Sequence, residues 1–267
     1  LDLELFKVGS FRNGSIAALI ISMGEFGILF AIPLWLQNVL LLTPIESGLV
    51  LLWLAGGAFL ASGVGGALSG KVSPRTMVQS GVALELVGAI GIALFASTEV
   101  GMWSIAPFLF IYGVGVGLAT AQLTGVIMVD VTMDKIGQAS GSQSTVRQVG
   151  SALGIAVLGT MLFTGVQSSL ENRIAEQSIA SEQSSAIVDL VVDTAGGVIP
   201  SLPELLQSPA TGAPLSKEVA DQITADAGEA FTDGAKASAW AAAGFLLLGL
   251  VSTLNIGSKR KKEEHAN

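Results

Sequence analysis

Three ionisable residues interrupt long apolar stretches of the chain. They are Glu25 within Ser22-Met-Gly-Glu25-Phe-Gly, Glu85 within Ala83-Leu-Glu85-Leu, and Arg147 within Ser144-Thr-Val-Arg147-Gln148-Val-Gly150. If those stretches cross a bilayer, each charge costs at least about 2.5–3.5 kcal/mol at the membrane centre and must face protein or water. Desolvation favours the neutral form of a carboxyl group, so a buried acid can bind and release a proton near neutral pH. Coupling to a proton gradient requires that property. Glu25, flanked by glycines and near Pro33, is the leading proton-coupling candidate, and Glu85, among bulky apolar neighbours, is a second. The structural alternative for both is a neutral, hydrogen-bonded glutamate. Arg147 stays charged, so it needs a partner or a route to the interface. Asp130 and Asp134, just before its helix, are the expected partners in a cytoplasmic latch. Gln122, Thr124 and Gln37, with Asn38, Gln143 and Gln148, are the polar candidates for lining a cavity. Such a lining fits a large apolar or cationic substrate better than a phosphorylated one.

The elements that position these groups follow from composition. Of 267 residues, 51% are hydrophobic and 13% charged, about half the roughly 25% charged residues of soluble domains. The chain therefore reads as an all-α integral membrane protein. No cysteine is present, and the one histidine, His265, lies in a charged tail. That excludes disulfides, thiolate nucleophiles, iron–sulfur ligation, haem and histidine-held metals. No nucleophile–base pair, metal set or cofactor fingerprint is found, so no enzyme, metal or cofactor is expected. The net charge of −8 gives no ground for a nucleic-acid partner, and the acidity is local: residues 165–234 hold eleven acids and two bases.

A spanning helix needs about 20 mostly apolar residues. Six segments qualify: Gly14–Leu36, Ser47–Ser69, Thr76–Ala96, Trp103–Val129, Ser142–Phe163 and Ala235–Ile256. The expected organisation is a lead-in at 1–13, spans one to five within 14–164, an acidic loop at 165–234, a sixth span at 235–256 and a basic tail at 257–267. Lys7, Arg12, Lys71, Arg75, Lys135 and Lys259–Lys262 all fall on one side of these spans. By the positive-inside rule both termini are cytoplasmic and 165–234 is outside. In that loop Leu215, Val219, Ile223, Ala227 and Phe231 recur every four residues, predicting an amphipathic helix leading into the sixth span. The loop itself is expected to be a solvated connector, with a lid or partner surface as the alternative. The spans are rich in glycine, notably Gly113, Gly115 and Gly117 and the pair Gly150 and Gly154, which lets helix backbones approach closely. Pro33 and Pro107 are expected to lie inside their spans and kink them. The chain opens on Leu1 with no cleavable signal pattern, and a fragment is expected.

Several of these residues resemble a known family. Ser10-Phe-Arg12-Asn13, then Gly24-Glu25-Phe26-Gly27 and Pro33-Leu-Trp-Leu-Gln37-Asn38, look like the start of the carboxy-terminal half of a major facilitator superfamily transporter. The fourteen-span drug:proton antiporters, multidrug efflux proteins of the EmrB/QacA type, are the group most resembled. Gly66-Ala-Leu-Ser69-Gly70-Lys71-Val-Ser-Pro74-Arg75 is similar to a degraded copy of the superfamily's cytoplasmic loop motif, with Gly70 where an acid usually stands. The segments around Arg147 and at Ala230-Phe231-Thr-Asp233-Gly234 are also family-like. The resemblance implies a six-helix half built from two inverted three-helix repeats, with the first and fourth spans lining the cavity and the third peripheral. It places Glu25, Gln122 and Thr124 at that cavity. It implies proton-coupled efflux of drug-like or secondary-metabolite compounds, and so antibiotic resistance, at the plasma membrane. The partners would be small-molecule substrate, protons, the lipid bilayer and a missing amino-terminal half. A metabolite carrier of the same fold, or a non-transporting membrane scaffold, stays open as an alternative.

Overall fold

The computed structural model describes residues 3–68, 70–99, 101, 103–177, 179–208 and 214–254; Ser69, Pro209 and the basic tail 257–267 lie outside them. Six described helices are long and apolar enough to cross a membrane. They are α1 (Gly9–Asn38), α2 (Pro44–Leu68), α3 (Pro74–Phe95), α4 (Ala106–Met128), α5 (Ile136–Ala175) and, after two short helices, α8 (Lys217–Thr253). No strand occurs among the described residues. Local chemistry sets several of the starts. The Thr43 and Glu46 side chains close a reciprocal capping box ahead of α2. Ser73 accepts the Thr76 N–H at 3.1 Å, with Pro74 in the first turn of α3. Pro107 behaves likewise. It stands in the first turn of α4, where its missing N–H is no loss, and so begins that helix instead of kinking it, contrary to expectation. Pro33 does lie inside α1.

The helices pack as two groups, α1 with α5 and α8, and α4 with α2 and α3. The groups meet along α3–α8 and α1–α4. Exchanging α1, α2 and α3 for α4, α5 and α8 maps nearly all of these contacts onto one another, the signature of two three-helix repeats. Small residues determine the closest approaches. A Cβ at Gly150 or Gly154 would fall 2.5 Å from the Leu19 carbonyl oxygen or 2.2 Å from that of Met23, so α5 runs directly along the α1 backbone. In the other repeat, Gly113 and Gly117 of α4 lie in the same way on Leu54 and Ala58 of α2.

The exchange fails at α5–α8, for a reason outside the spans. With 40 and 37 residues, these helices are roughly 60 and 55 Å long, well beyond a bilayer core of ~30 Å. Their extensions hold a folded cap made of α6 (Ser181–Asp193), a short turn at Ile199–Ser201 and α7 (Leu202–Gln207). The segment is thus not the solvated connector expected. Ile187, Val188 and Val191 of α6, which packs on α5, and Ile199, Leu202 and Leu206, from the turn and α7 that pack on α8, are buried in one core with Leu170, Ile174, Ile223, Ala227 and Phe231. Its apolar residues are few but helically spaced, and they find a preformed stripe. Polar ties surround this core: Arg173 pairs with Asp233 at 3.1 Å and with Glu229, and Gln177 donates to Asp226 at 2.7 Å.

Candidate functional site

Arg147 does not reach the aspartates. It lies eleven residues into α5, roughly 16 Å from the helix start by helical rise, while Asp130 and Asp134 are exposed in the α4–α5 connection. Its guanidinium instead faces Glu25 of α1, with Nη2 3.5 Å from Oε2. The expected cytoplasmic latch is therefore replaced by an ion pair within the bundle. The Glu25 side chain is 5% exposed and that of Arg147 25%. A buried acid without its cation would be strongly disfavoured, so each residue stabilises the other's place at membrane depth. The glycine contacts make this meeting possible by bringing α5 onto α1 at Leu19 and Met23, just before Glu25.

Glu85 is also inside the bundle. Although α3 was expected to be peripheral, the Glu85 side chain is turned inward and fully buried against Gly115 of α4. Three residues earlier on α4, Tyr112 lies over Gly88 of α3 in the same fashion. Each large polar side chain thus occupies the notch left by a glycine of the other helix. Glu85 lies within electrostatic reach of Glu25, Arg147 and Tyr112. Both Glu85 carboxyl oxygens and the Tyr112 hydroxyl are buried without a hydrogen-bond partner among the described residues. Sequence reasoning passed over Tyr112. Its signal was available, as the chain's one tyrosine standing one turn before Gly115 in a glycine-rich span.

The other candidates fall elsewhere. Thr124 accepts a hydrogen bond from the Gln143 amide at 3.2 Å, joining α4 to α5, and Gln122 is half-buried nearby on α4. Gln37 is half-buried twelve residues beyond Glu25, about 18 Å along α1, and so outside this group. Its neighbour Asn38 ties α1 to the cap through the Ala195 carbonyl at 2.9 Å. Of the loop motif, Gly70 and Lys71 are exposed, and a Cβ at Gly66 or Gly70 would meet nothing within 4 Å. Arg75 reaches another helix, donating to the Leu254 carbonyl at the end of α8, where it satisfies a terminal backbone acceptor. No group of three or more potential metal-binding side chains occurs among the described residues.

Comparison with known proteins agrees with this architecture. The chain is 27% identical over 206 residues to the multidrug resistance protein Stp of Mycobacterium tuberculosis, covering 75% of this chain and 38% of that protein. It is 28% identical over 260 residues to the multidrug efflux pump LfrA of Mycolicibacterium smegmatis, covering 97% of this chain and 48% of that one. The tetracenomycin C resistance and export protein of Streptomyces glaucescens is 27% identical over 192 residues, with coverages of 71% and 36%. The chain thus spans less than half the length of each of these relatives. Residues 3–155, comprising α1 to α4 and the first half of α5, match the Major Facilitator Superfamily, and the chain belongs to that family.

Proposed function

We propose that this chain is the carboxy-terminal six-helix half of a fourteen-span drug:proton antiporter of the plasma membrane, exporting drug-like or secondary-metabolite compounds. Both termini would be cytoplasmic and the cap outside. The observation that carries this reading is the Glu25–Arg147 ion pair, a buried acid that meets a cation on a neighbouring membrane-spanning helix. The relatives' roles, multidrug efflux and the export of tetracenomycin C, support the substrate class. Gln122, Thr124 and Gln148 are half-buried or exposed on membrane-spanning helices. Hydrocarbon is a poor solvent for these side chains, so they belong against a wet cavity whose opposite wall comes from an amino-terminal half.

In this mechanism Glu25 exchanges one proton. Ionised, it holds Arg147 and ties α5 to α1. Protonated, it no longer attracts the guanidinium, which turns toward its exposed side, and the helices are released for the rocking that carries substrate across. Proton and substrate therefore compete for the cavity through Glu25. Replacing Glu25 with Gln in the full-length transporter should abolish efflux driven by a pH gradient, with the protein still present in the membrane. Fully retained coupling in that variant would refute the mechanism.

A further inference from the structure

We propose that Glu85 holds a proton that is not exchanged during transport, and that this neutral acid and the Tyr112 hydroxyl hydrogen-bond to each other, directly or through one water. The first ground is charge. At membrane depth the group has two carboxyls, Glu25 and Glu85, and one cation, Arg147, which is committed to Glu25. The remaining facing elements add no compensating charge. Tyr112 on α4 is neutral, and α8, which also packs on α3, has no ionisable residue between Ala237 and Thr253. An ionised Glu85 would be a buried anion without a counter-ion, the costliest arrangement for a carboxyl group.

The second ground is the set of orphaned atoms. Two carboxyl oxygens and one phenolic hydroxyl are buried without partners, on side chains about one turn apart along the packed, antiparallel α3 and α4. Buried polar groups almost always find partners. A protonated carboxyl can both donate and accept, and so can a phenol, so each supplies what the other lacks. A carboxylate could only accept, and the same pair would then still leave acceptor capacity unmet.

The test is infrared spectroscopy of the chain in lipid vesicles at neutral pH, comparing variants in the carbonyl-stretching region of protonated carboxylic acids. Glu85→Gln should remove one such band, Glu25→Gln should leave it in place, and Tyr112→Phe should shift it by removing the hydrogen bond to the acid. Gln and Phe keep the size of the side chains they replace, so the bundle is preserved. An unchanged band in Glu85→Gln, its loss in Glu25→Gln, or an unshifted band in Tyr112→Phe would each overturn the assignment. The claim about exchange rests on the efflux reading above. In the full-length transporter, Glu85→Gln should keep the pH dependence of efflux that Glu25→Gln loses, because Gln mimics a neutral acid. Loss of that dependence in Glu85→Gln would show that the Glu85 proton is exchanged. Coupling retained in Glu25→Gln would sink the efflux mechanism while leaving the infrared assignment standing.

Discussion

Replacing Gly154 with Ala adds one methyl group, and the structure says where it goes. Its carbon would lie 2.2 Å from the Met23 carbonyl oxygen and 2.6 Å from the Met23 Cα, where ordinary contact begins at 3.4 Å. Both obstacles are backbone, so no side chain can turn aside. The helices must part locally by about 1 Å, and overpacking of this kind costs roughly 1–3 kcal/mol. The same displacement acts on the ion pair. A separation of 3.5 Å between Arg147 and Glu25 grows to about 4.5 Å, beyond hydrogen-bonding distance. The control is Gly63→Ala, where the added carbon meets nothing within 4 Å. On an exposed helix surface that change should stay within about 0.5 kcal/mol of wild type, or stabilise slightly through better helix propensity. Equilibrium unfolding in mixed micelles measures both variants. Equal stabilities would refute the argument that α5 is seated on α1 through its glycines, and so the account of how Arg147 reaches Glu25.

Two changes in the cap separate apolar packing from charge. Phe231→Ala removes a fully buried ring on which the turn at Gly196 rests (φ +82°), and should cost about 3–5 kcal/mol. The expected readout is rapid proteolysis between residues 176 and 216, and an intact cap in this variant would mean that its core is not apolar. Arg173→Gln breaks two ion pairs whose side chains are between 32% and 50% exposed, so it should change stability by no more than about 1 kcal/mol. A larger loss would show that the cap is held chiefly by charge.

Much of this architecture is legible in the sequence, because helix length and hydropathy are local properties. The six long apolar helices and the ionisable residues inside them can be read directly. The partner of Arg147 cannot. Asp134 is near in sequence and Glu25 is not, but α5 runs straight for eleven residues before the arginine and carries it away from its own loop. The third helix misleads in a similar way. The residues flanking Glu85 in sequence are bulky and apolar, whereas the neighbours that matter, Gly115 and Tyr112, come from α4. Glycine count is equally uninformative alone: Gly154 and Gly63 look alike in sequence, and only one touches another backbone. The cap was hidden because its apolar residues form no continuous run and acquire a core only against α5 and α8.

The four polar groups divide as the helices do. Glu25 and Arg147 both belong to the α1, α5 and α8 group, and Glu85 and Tyr112 both belong to the α2, α3 and α4 group. With Glu85 neutral, each group is electrically balanced at membrane depth: one holds an ion pair, the other an uncharged acid–phenol pair. A displacement of one group against the other then separates no net charges across the seam. With Glu85 ionised, the second group would carry a lone buried negative charge with no counter-ion of its own, and any displacement of the groups would move that charge relative to the ion pair of the first. On the proposed mechanism, a retained proton on Glu85 would leave Glu25 as the one buried acid that exchanges a proton. Charge at membrane depth would then be confined to one ion pair, inside the α1, α5 and α8 group, which protonation of Glu25 would open.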